Sequence, residues 1–271
     1  MSTEEKLKRL RDTIKALESV VVAFSGGVDS SLVAKVSYDV LGNKTLAVTA
    51  RSETYPEYEY EEAKKIAKEI GIPHMTLDTS ELGIEGFAQN PPNRCYFCKS
   101  ELFGKLKEVA REKGYKHVAD GANLDDVGEY RPGLDAAKEL GVRSPLKESG
   151  LRKPDIRELS KYLKLSNWDK PPYACMSSRF PYGNSITEEK LAIVAAAENY
   201  LRSIGLRQFR VRHHDTIARI EVMPGDIPEL LQNDKRRALI RKFKEIGYKY
   251  VTIDMEGYRS GSMNEVLTQQ K

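Results

Sequence analysis

The sequence predicts an α/β fold, a doubly wound parallel sheet followed by a smaller C-terminal α+β domain. Three observations predict it. The run Val20-Val21-Val22-Ala23-Phe24 is continuously apolar, as a strand covered on both faces must be. It breaks at Gly26-Gly27 and restarts as a helix through Leu32, Val33, Val36 and Leu41. Strands and helices then alternate at short spacing up to Asp169-Lys170-Pro171-Pro172, where the pattern changes.

The elements follow in order. Ser2-Thr3-Glu4-Glu5 is a capping-box start to an amphipathic helix carrying Leu7, Leu10, Ile14 and Leu17. After the first strand and its helix, Lys44 to Ala50 reads as a second strand. Glu57 to Ile70 reads as a charged amphipathic helix stopped by Gly71 and Pro73. His74 to Asp78 is a third strand, Lys99 to Lys113 a helix and His117 to Gly121 a fourth strand. Pro154 opens a helix with Ile156, Leu159, Leu163 and Leu165 as its apolar stripe. The expected division is 1–170 and 171–271. The second part carries a helix (Thr187 to Ile204), two strands (Phe209 to His213, Ile217 to Met223), a helix (Asp226 to Ile246) and a strand (Tyr250 to Asp254). Gln269-Gln270-Lys271 reads as a frayed end.

Bulk composition narrows the function classes. The 271 residues carry 44 Lys and Arg against 40 Asp and Glu, a net charge of +4. That is not the basic footprint of a dedicated nucleic-acid binder. There is no signal-peptide core and no apolar run of membrane length, so a cytoplasmic protein is expected, with no membrane partner. Three cysteines, an odd number, argue for reduced, functional thiols rather than a disulfide framework.

The junction at Ser25-Gly26-Gly27-Val28-Asp29-Ser30-Ser31 carries the chemistry. A strand–turn–helix junction presents backbone N–H groups and the positive end of a helix dipole to one point. Gly26 and Gly27 let an anion approach the backbone, Ser25, Ser30 and Ser31 add hydroxyl donors, and Asp29 can hold a cation beside the anion. The expected ligand is a phosphate chain with its metal. No lysine follows the glycines as in a Walker loop, and Gly-x-Gly-x-x-Gly is absent. Ser-Gly-Gly-x-Asp-Ser resembles the PP-loop of the ATP pyrophosphatase superfamily. Those enzymes cleave ATP between its α and β phosphates and adenylate an oxygen of the substrate. The plainer reading is a turn whose glycines serve only the backbone.

Cys95-x-x-Cys98 lies just before the Lys99–Lys113 helix, and Cys175 lies in Pro-Pro-Tyr-Ala-Cys-Met-Ser-Ser-Arg-Phe-Pro-Tyr-Gly. Zinc would want a second pair at matching spacing, and His213-His214 are adjacent rather than spaced. A thioredoxin-like pair would sit on the first strand–helix turn, which this one does not. Three thiolates can hold three irons of a [4Fe–4S] cluster and leave the fourth open. Buried packing is the other role open to free cysteines.

These residues together resemble the LarE family, the sulfur transferases of nickel-pincer nucleotide biosynthesis. The resemblance spans nearly the whole chain and rests on residues 25–31, Asn93-Arg94-Cys95-Tyr96-Phe97-Cys98-Lys99, Asp120-Gly121-Ala122-Asn123, 126–133 and 174–183. It implies a PP-loop, adenine-nucleotide-hydrolase-like fold and a mononucleotide substrate, pyridinium-3,5-biscarboxylic acid mononucleotide. A carboxylate would be adenylated by ATP with Mg²⁺, and sulfur would then displace AMP to give a thiocarboxylate. Some members sacrifice the sulfur of the cysteine matching Cys175. Others carry three cysteines and a cluster, which Cys95, Cys98 and Cys175 favour here.

By the same resemblance Ser25, Gly26, Gly27, Ser30 and Ser31 grip the β and γ phosphates, with Asp29 on Mg²⁺. Adenine lies near Ala23, Thr49 and Gly121. Lys99 stabilises charge on the α phosphate, its alternative being a surface lysine. Ser178 helps to position the sulfur. Arg210 and Arg212 leave one face of a strand, where paired forks suit a phosphate. A salt-bridged sheet face is the other reading, and the resemblance favours substrate binding. Arg179 and Arg259 fall at family-like positions, as do Glu198 and Asp226, which could take a metal; Asp226 could equally cap the helix after it. A homo-oligomer and an external sulfide donor are implied. The rivals are a tRNA thiolase, which would need an RNA-binding module, an ammonia-using synthetase, which leaves the cysteines without a role, and a nucleotide sensor without turnover.

Overall fold

The computed structural model describes residues 1–126 and 132–268. Residues 127–131 of the family-like 126–133 stretch, and the C-terminal 269–271, lie outside them. The chain forms two compact units, one of residues 1–84 and 93–173, the other of 85–92 and 174–271.

In the first unit α1 (Thr3–Lys15) starts at the expected capping box: Ser2 Oγ accepts from Glu5 N at 3.2 Å, and Glu5 Oε2 accepts from Ser2 N at 2.8 Å. Leu7, Leu10, Ile14 and Leu17 are all buried, as the apolar stripe requires. β1 (Val20–Ala23), α2 (Val28–Leu41), β2 (Thr45–Arg51), α3 (Glu57–Ile70) and β3 (His74–Asp78) follow, then α4 (Arg94–Lys113) and β4 (His117–Ala119). The sheet order is β3-β2-β1-β4, every pairing parallel, with Val20 opposite both Thr45 and His117. This is the doubly wound arrangement the sequence predicts. The order reverses direction between β1 and β4, so a ligand crevice belongs at their carboxyl ends. Val20, Val21 and Val22 are fully buried, which is why the first strand reads as one apolar run. Three short helices, α5 (Pro132–Glu139), α6 (Pro145–Glu148) and α7 (Lys153–Tyr162), complete the unit.

Three boundaries of the first unit differ from expectation by two residues or more. α7 ends at Tyr162, before Leu163 and Leu165 of the expected stripe. α4 begins at Arg94 rather than Lys99, so Cys95 and Cys98 lie within its opening turns, not ahead of it. Pro91-Pro92 excludes helix only up to Asn93, which sits at the N-cap position. β4 ends at Ala119, after which Asp120 N donates to Arg143 O.

In the second unit residues 85–92 fold with the segment after Cys175. Asn90 Nδ2 donates to the carbonyls of Phe180 (3.2 Å) and Pro181 (2.7 Å), and Ala88 O accepts from Ile186 N. α8 (Glu188–Ser203), β5 (Phe209–His214), β6 (Ile217–Val222), α9 (Ile227–Leu230), α10 (Asn233–Ile246) and β7 (Tyr250–Ile253) follow. The sheet is mixed: β5 and β6 are antiparallel, β6 and β7 parallel. Val211, Ile220, Val222 and Phe243 form its core. The helix expected over Asp226–Ile246 is broken at Leu231-Gln232, because Gln232 is extended and the turn-favouring Asn233-Asp234 restarts it. No described helix is long and apolar enough to cross a membrane.

Candidate active site

The loop after β1 stands at the carboxyl edge of the sheet. Gly26 has φ +63°, and a Cβ there would meet Ala63 Cα of α3 at 2.7 Å, so the fold itself demands glycine. Gly27 has ordinary backbone angles, and a Cβ would meet only Ser25 Oγ, at 3.4 Å. Gly27 is the N-cap of α2 and offers no side chain to its first N–H groups. Gly121 is a third close approach: its Cβ would lie 2.9 Å from Ser30 N. Ala23 ends β1, half-buried, beside this loop.

The hydroxyls divide. Ser30 Oγ donates to Gly27 O at 3.1 Å and accepts from Ser25 N at 3.2 Å, and Ser31 Oγ, fully buried, accepts from Asn167 Nδ2 at 2.9 Å. Both hydroxyls serve the loop; of the three serines Ser25 alone is exposed, its Oγ 3.1 Å from Ser30 Oγ. Thr49 Oγ1 donates to Phe24 O at 2.8 Å with His74 Nε2 also at 2.8 Å, so its hydroxyl ties β2 to the loop.

Asp29 lies in the first turn of α2. Its Oδ2 pairs with Lys153 Nζ at 2.5 Å, while its Oδ1 is buried without a hydrogen-bond partner among the described residues. An unsatisfied buried carboxylate oxygen is costly unless a ligand completes it, and a hard oxygen donor beside a phosphate loop suits Mg²⁺. Nearby, Asp120 accepts from Ser144 Oγ (2.8 Å) and Ala122 N (3.1 Å), and burial pushes its pKa above the ordinary value. Lys99 is an exposed helix residue, as a surface lysine would be, with Nζ 5.4 Å from the centroid of the Phe103 ring, and its charge partly offsets the burial of Asp120.

Cys95 is exposed, and Cys98 Sγ donates to Glu81 Oε1 at 3.0 Å. Three residues apart on a helix, the two thiols share a face and suit two ligands of one cluster. Within neither unit do the described residues gather three metal-ligating side chains.

In the second unit Cys175 precedes a 3₁₀ turn, Met176–Arg179, held by two buried ion pairs. Arg179 is fully buried and grips Glu198 with both arms, at 2.8 and 2.9 Å. Its Nη1 donates to Ala174 O (2.7 Å), Cys175 O (3.1 Å) and Ser178 Oγ (2.9 Å). Arg212 grips Glu221 at 2.9 and 2.6 Å and donates to Ser178 O at 2.8 Å. Burial would raise the Glu198 carboxyl, but the charge and hydrogen bonds of Arg179, with Val211 N, hold it below the usual carboxylate range. Glu198 is therefore placed as the partner of Arg179 rather than as an open metal ligand, and Arg212 follows the salt-bridged reading. Arg210 Nη1 donates to Phe209 O at 2.6 Å, with its guanidinium carbon 5.1 Å from the Tyr258 ring centroid. Arg259 pairs with Glu256 (2.5 Å) and Glu265. Asp226, half-buried at the N-cap of α9, does not cap that helix with its side chain.

Lys153, Asn167, Tyr55 and Glu221 escaped the sequence reading. None belongs to a local motif; each meets its partner only through the tertiary fold.

A parallel sheet with an anion-receptive loop at its carboxyl edge and a half-satisfied carboxylate beside it defines a class, the PP-loop proteins. Residues 3–94 match the NAD synthase family. The chain is 49% identical over 98% of its length to an uncharacterized protein of Synechocystis sp., covering 99% of that protein. It is 41% identical over 94% of its length to pyridinium-3,5-bisthiocarboxylic acid mononucleotide synthase of Lactiplantibacillus plantarum, covering 92% of that enzyme. Similarity to the tRNA-specific 2-thiouridylase MnmA of Beijerinckia indica is 31% and covers 57% of this chain and 44% of that one. The chain belongs to the LarE family, as its motifs indicate.

Proposed function

We propose that the protein adenylates a carboxylate of pyridinium-3,5-biscarboxylic acid mononucleotide and converts it to a thiocarboxylate. A carboxylate oxygen attacks the α phosphorus of ATP, the bond to the bridging oxygen breaks, and pyrophosphate leaves into the Ser25–Ser31 loop. Sulfur then attacks the acyl carbon, and AMP leaves. What most supports this reading is the phosphate loop at the sheet's carboxyl edge with Asp29 Oδ1 unsatisfied beside it. Asp29 would hold Mg²⁺, the N–H groups of Gly26 and Gly27 and the Ser25 hydroxyl would hold the phosphates, and adenine would lie near Ala23, Thr49 and Gly121. Lys99 would face the α phosphate. Arg210 and Arg259 would take the substrate, while Arg179, Arg212 and Ser178 hold the Cys175 turn in place. Asp226 is the acidic residue left for a metal.

For the sulfur, we propose that Cys95, Cys98 and Cys175 hold a [4Fe–4S] cluster, which when bound supplies a replaceable sulfide. The sacrificial reading makes Cys175 the donor. The composition supports a cytoplasmic setting, and the family resemblance a homo-oligomer. The test is anaerobic reconstitution and counting of iron and acid-labile sulfide per chain, with Cys95→Ala alongside, followed by mass analysis of the product. About four irons, lost in the variant, support the cluster. No iron, with a thiocarboxylate still formed and Cys175 lighter by one H₂S, supports the sacrificial mode. ATP cleavage without any sulfur in the product overturns the proposal.

A further inference from the structure

Three consecutive carbonyls of the phosphate loop are each held by a hydrogen-bond donor. Ser25 O accepts from the Tyr55 hydroxyl at 2.9 Å. Gly26 O accepts from Asn167 Nδ2 at 3.0 Å. Gly27 O accepts from Ser30 Oγ at 3.1 Å and from Ser31 N at 2.9 Å. The Ser30 and Ser31 contacts are local. Tyr55 comes from the connection between β2 and α3, and Asn167 from the segment after α7.

A peptide unit is planar and trans, so its C=O and the following N–H point in opposite directions. Fixing the carbonyls of Ser25, Gly26 and Gly27 therefore fixes the opposed directions of the N–H groups of Gly26, Gly27 and Val28. An anion near such a loop is attracted by N–H groups and repelled by carbonyl oxygens, and a glycine pair is the stretch of backbone freest to flip between the two. Holding the peptides beforehand removes that reorganisation from the binding step.

We propose that Tyr55 and Asn167 are positioning residues that lock the peptide orientations of the loop for the pyrophosphate portion of ATP, without touching it. The inference rests on the ATP reading above. Asn167 suits this role because it is 7% exposed and its two contacts fix the amide's orientation; the flipped amide would set its oxygen against Gly26 O. Its Oδ1 has no hydrogen-bond partner among the described residues, so the amide is retained for its donors. Burial raises the Tyr55 phenol above its ordinary pKa, so it stays a donor at any working pH. Its proton is shared with Glu59 O at 3.2 Å, the longer of the two contacts.

The test is calorimetric titration of the full-length protein with magnesium pyrophosphate and, separately, with AMP, which lacks the β and γ phosphates. Tyr55→Phe keeps the ring and removes one donor; Asn167→Ala removes the other. Each variant is expected to bind pyrophosphate about fivefold more weakly, the loss of one hydrogen bond's worth of orientation, with AMP binding unchanged within about twofold. A merely structural role would weaken both ligands together or lower only the melting temperature. Tyr55→Phe decides the matter if Asn167→Ala fails to fold. Unchanged pyrophosphate affinity in Tyr55→Phe, or equal weakening for AMP, overturns the inference and leaves the ATP reading standing. Failure of the unmodified protein to bind pyrophosphate or AMP overturns the ATP reading and the inference with it.

Discussion

The phosphate loop and the Cys175 turn solve opposite problems. Around residues 25–31 the loop's carbonyls are held by the side chains of Tyr55, Asn167 and Ser30, leaving backbone N–H groups and one oxygen of Asp29 for a ligand. Around residues 174–179 the charged groups are committed to one another: Arg179 to Glu198 and Arg212 to Glu221, each with both arms. The first region is receptive, the second is rigid. A loop that takes and releases a polyanion needs donors held ready. On the proposed function, a cysteine that must meet a short-lived acyl adenylate needs its turn held still, and four hydrogen bonds from two arginines to residues 174–178 would do that.

The largest expected effect separates the two regions. Cys175→Ala should abolish thiocarboxylate formation in either sulfur mode while pyrophosphate release with substrate continues. Mass spectrometry of the product and a pyrophosphate assay on one sample check this. Loss of both activities would mean that the turn also serves adenylation. Asp29→Asn should do the reverse, cutting pyrophosphate release by about a hundredfold, because a metal ligand at the developing charge contributes several kcal/mol. The Lys153 contact and the helix start should survive, so an unchanged melting temperature is expected alongside.

How much of this was legible in the sequence follows the same divide. Residues 20–31 could be read because their chemistry is local: an apolar run, a glycine pair and the carboxylate lie within one strand–turn–helix. The capping box at Ser2 and Glu5 and the helix at 57–70 were legible for the same reason. The arginines were not. Arg210 and Arg212 share a face by strand alternation, but which carboxylate meets Arg212 depends on the β5–β6 register, which sets it diagonally from Glu221. Arg179 and Glu198 are separated by 19 residues and a loop. The start of α4 was misjudged because Pro91-Pro92 reads as loop, although proline restricts only its own neighbourhood.

Breaking the rigid region should show first as lost stability. Glu198→Gln leaves the fully buried Arg179 charge without its counterpart, at a cost of about 3 to 5 kcal/mol. Denaturant unfolding measures it. The sign with pH follows from the lowered folded-state pKa of Glu198. Its contribution is present above the unfolded carboxylate value of 4.5 and is lost as pH falls through the lower folded-state value. The unmodified protein should therefore lose stability faster than Glu198→Gln on acidification below pH 4.5. Parallel curves would remove Glu198 from the account of the turn's rigidity.

The smallest effect on stability is the most discriminating for the receptive region. Gly26→Ala strains a positive φ and drives a methyl against the backbone of α3 at Ala63, a cost of about 2 kcal/mol or more. Gly27→Ala meets nothing closer than Ser25 Oγ at 3.4 Å and should change stability by about 0.5 kcal/mol or less. No clash in the fold requires glycine at 27; on the proposed function, a phosphate comes close to the backbone there. Gly27→Ala should keep the melting temperature and lose about tenfold in magnesium pyrophosphate affinity, the cost of displacing an anion from one N–H. A variant that binds as well as the unmodified protein would return this glycine pair to the plainer reading, a turn that serves only the backbone.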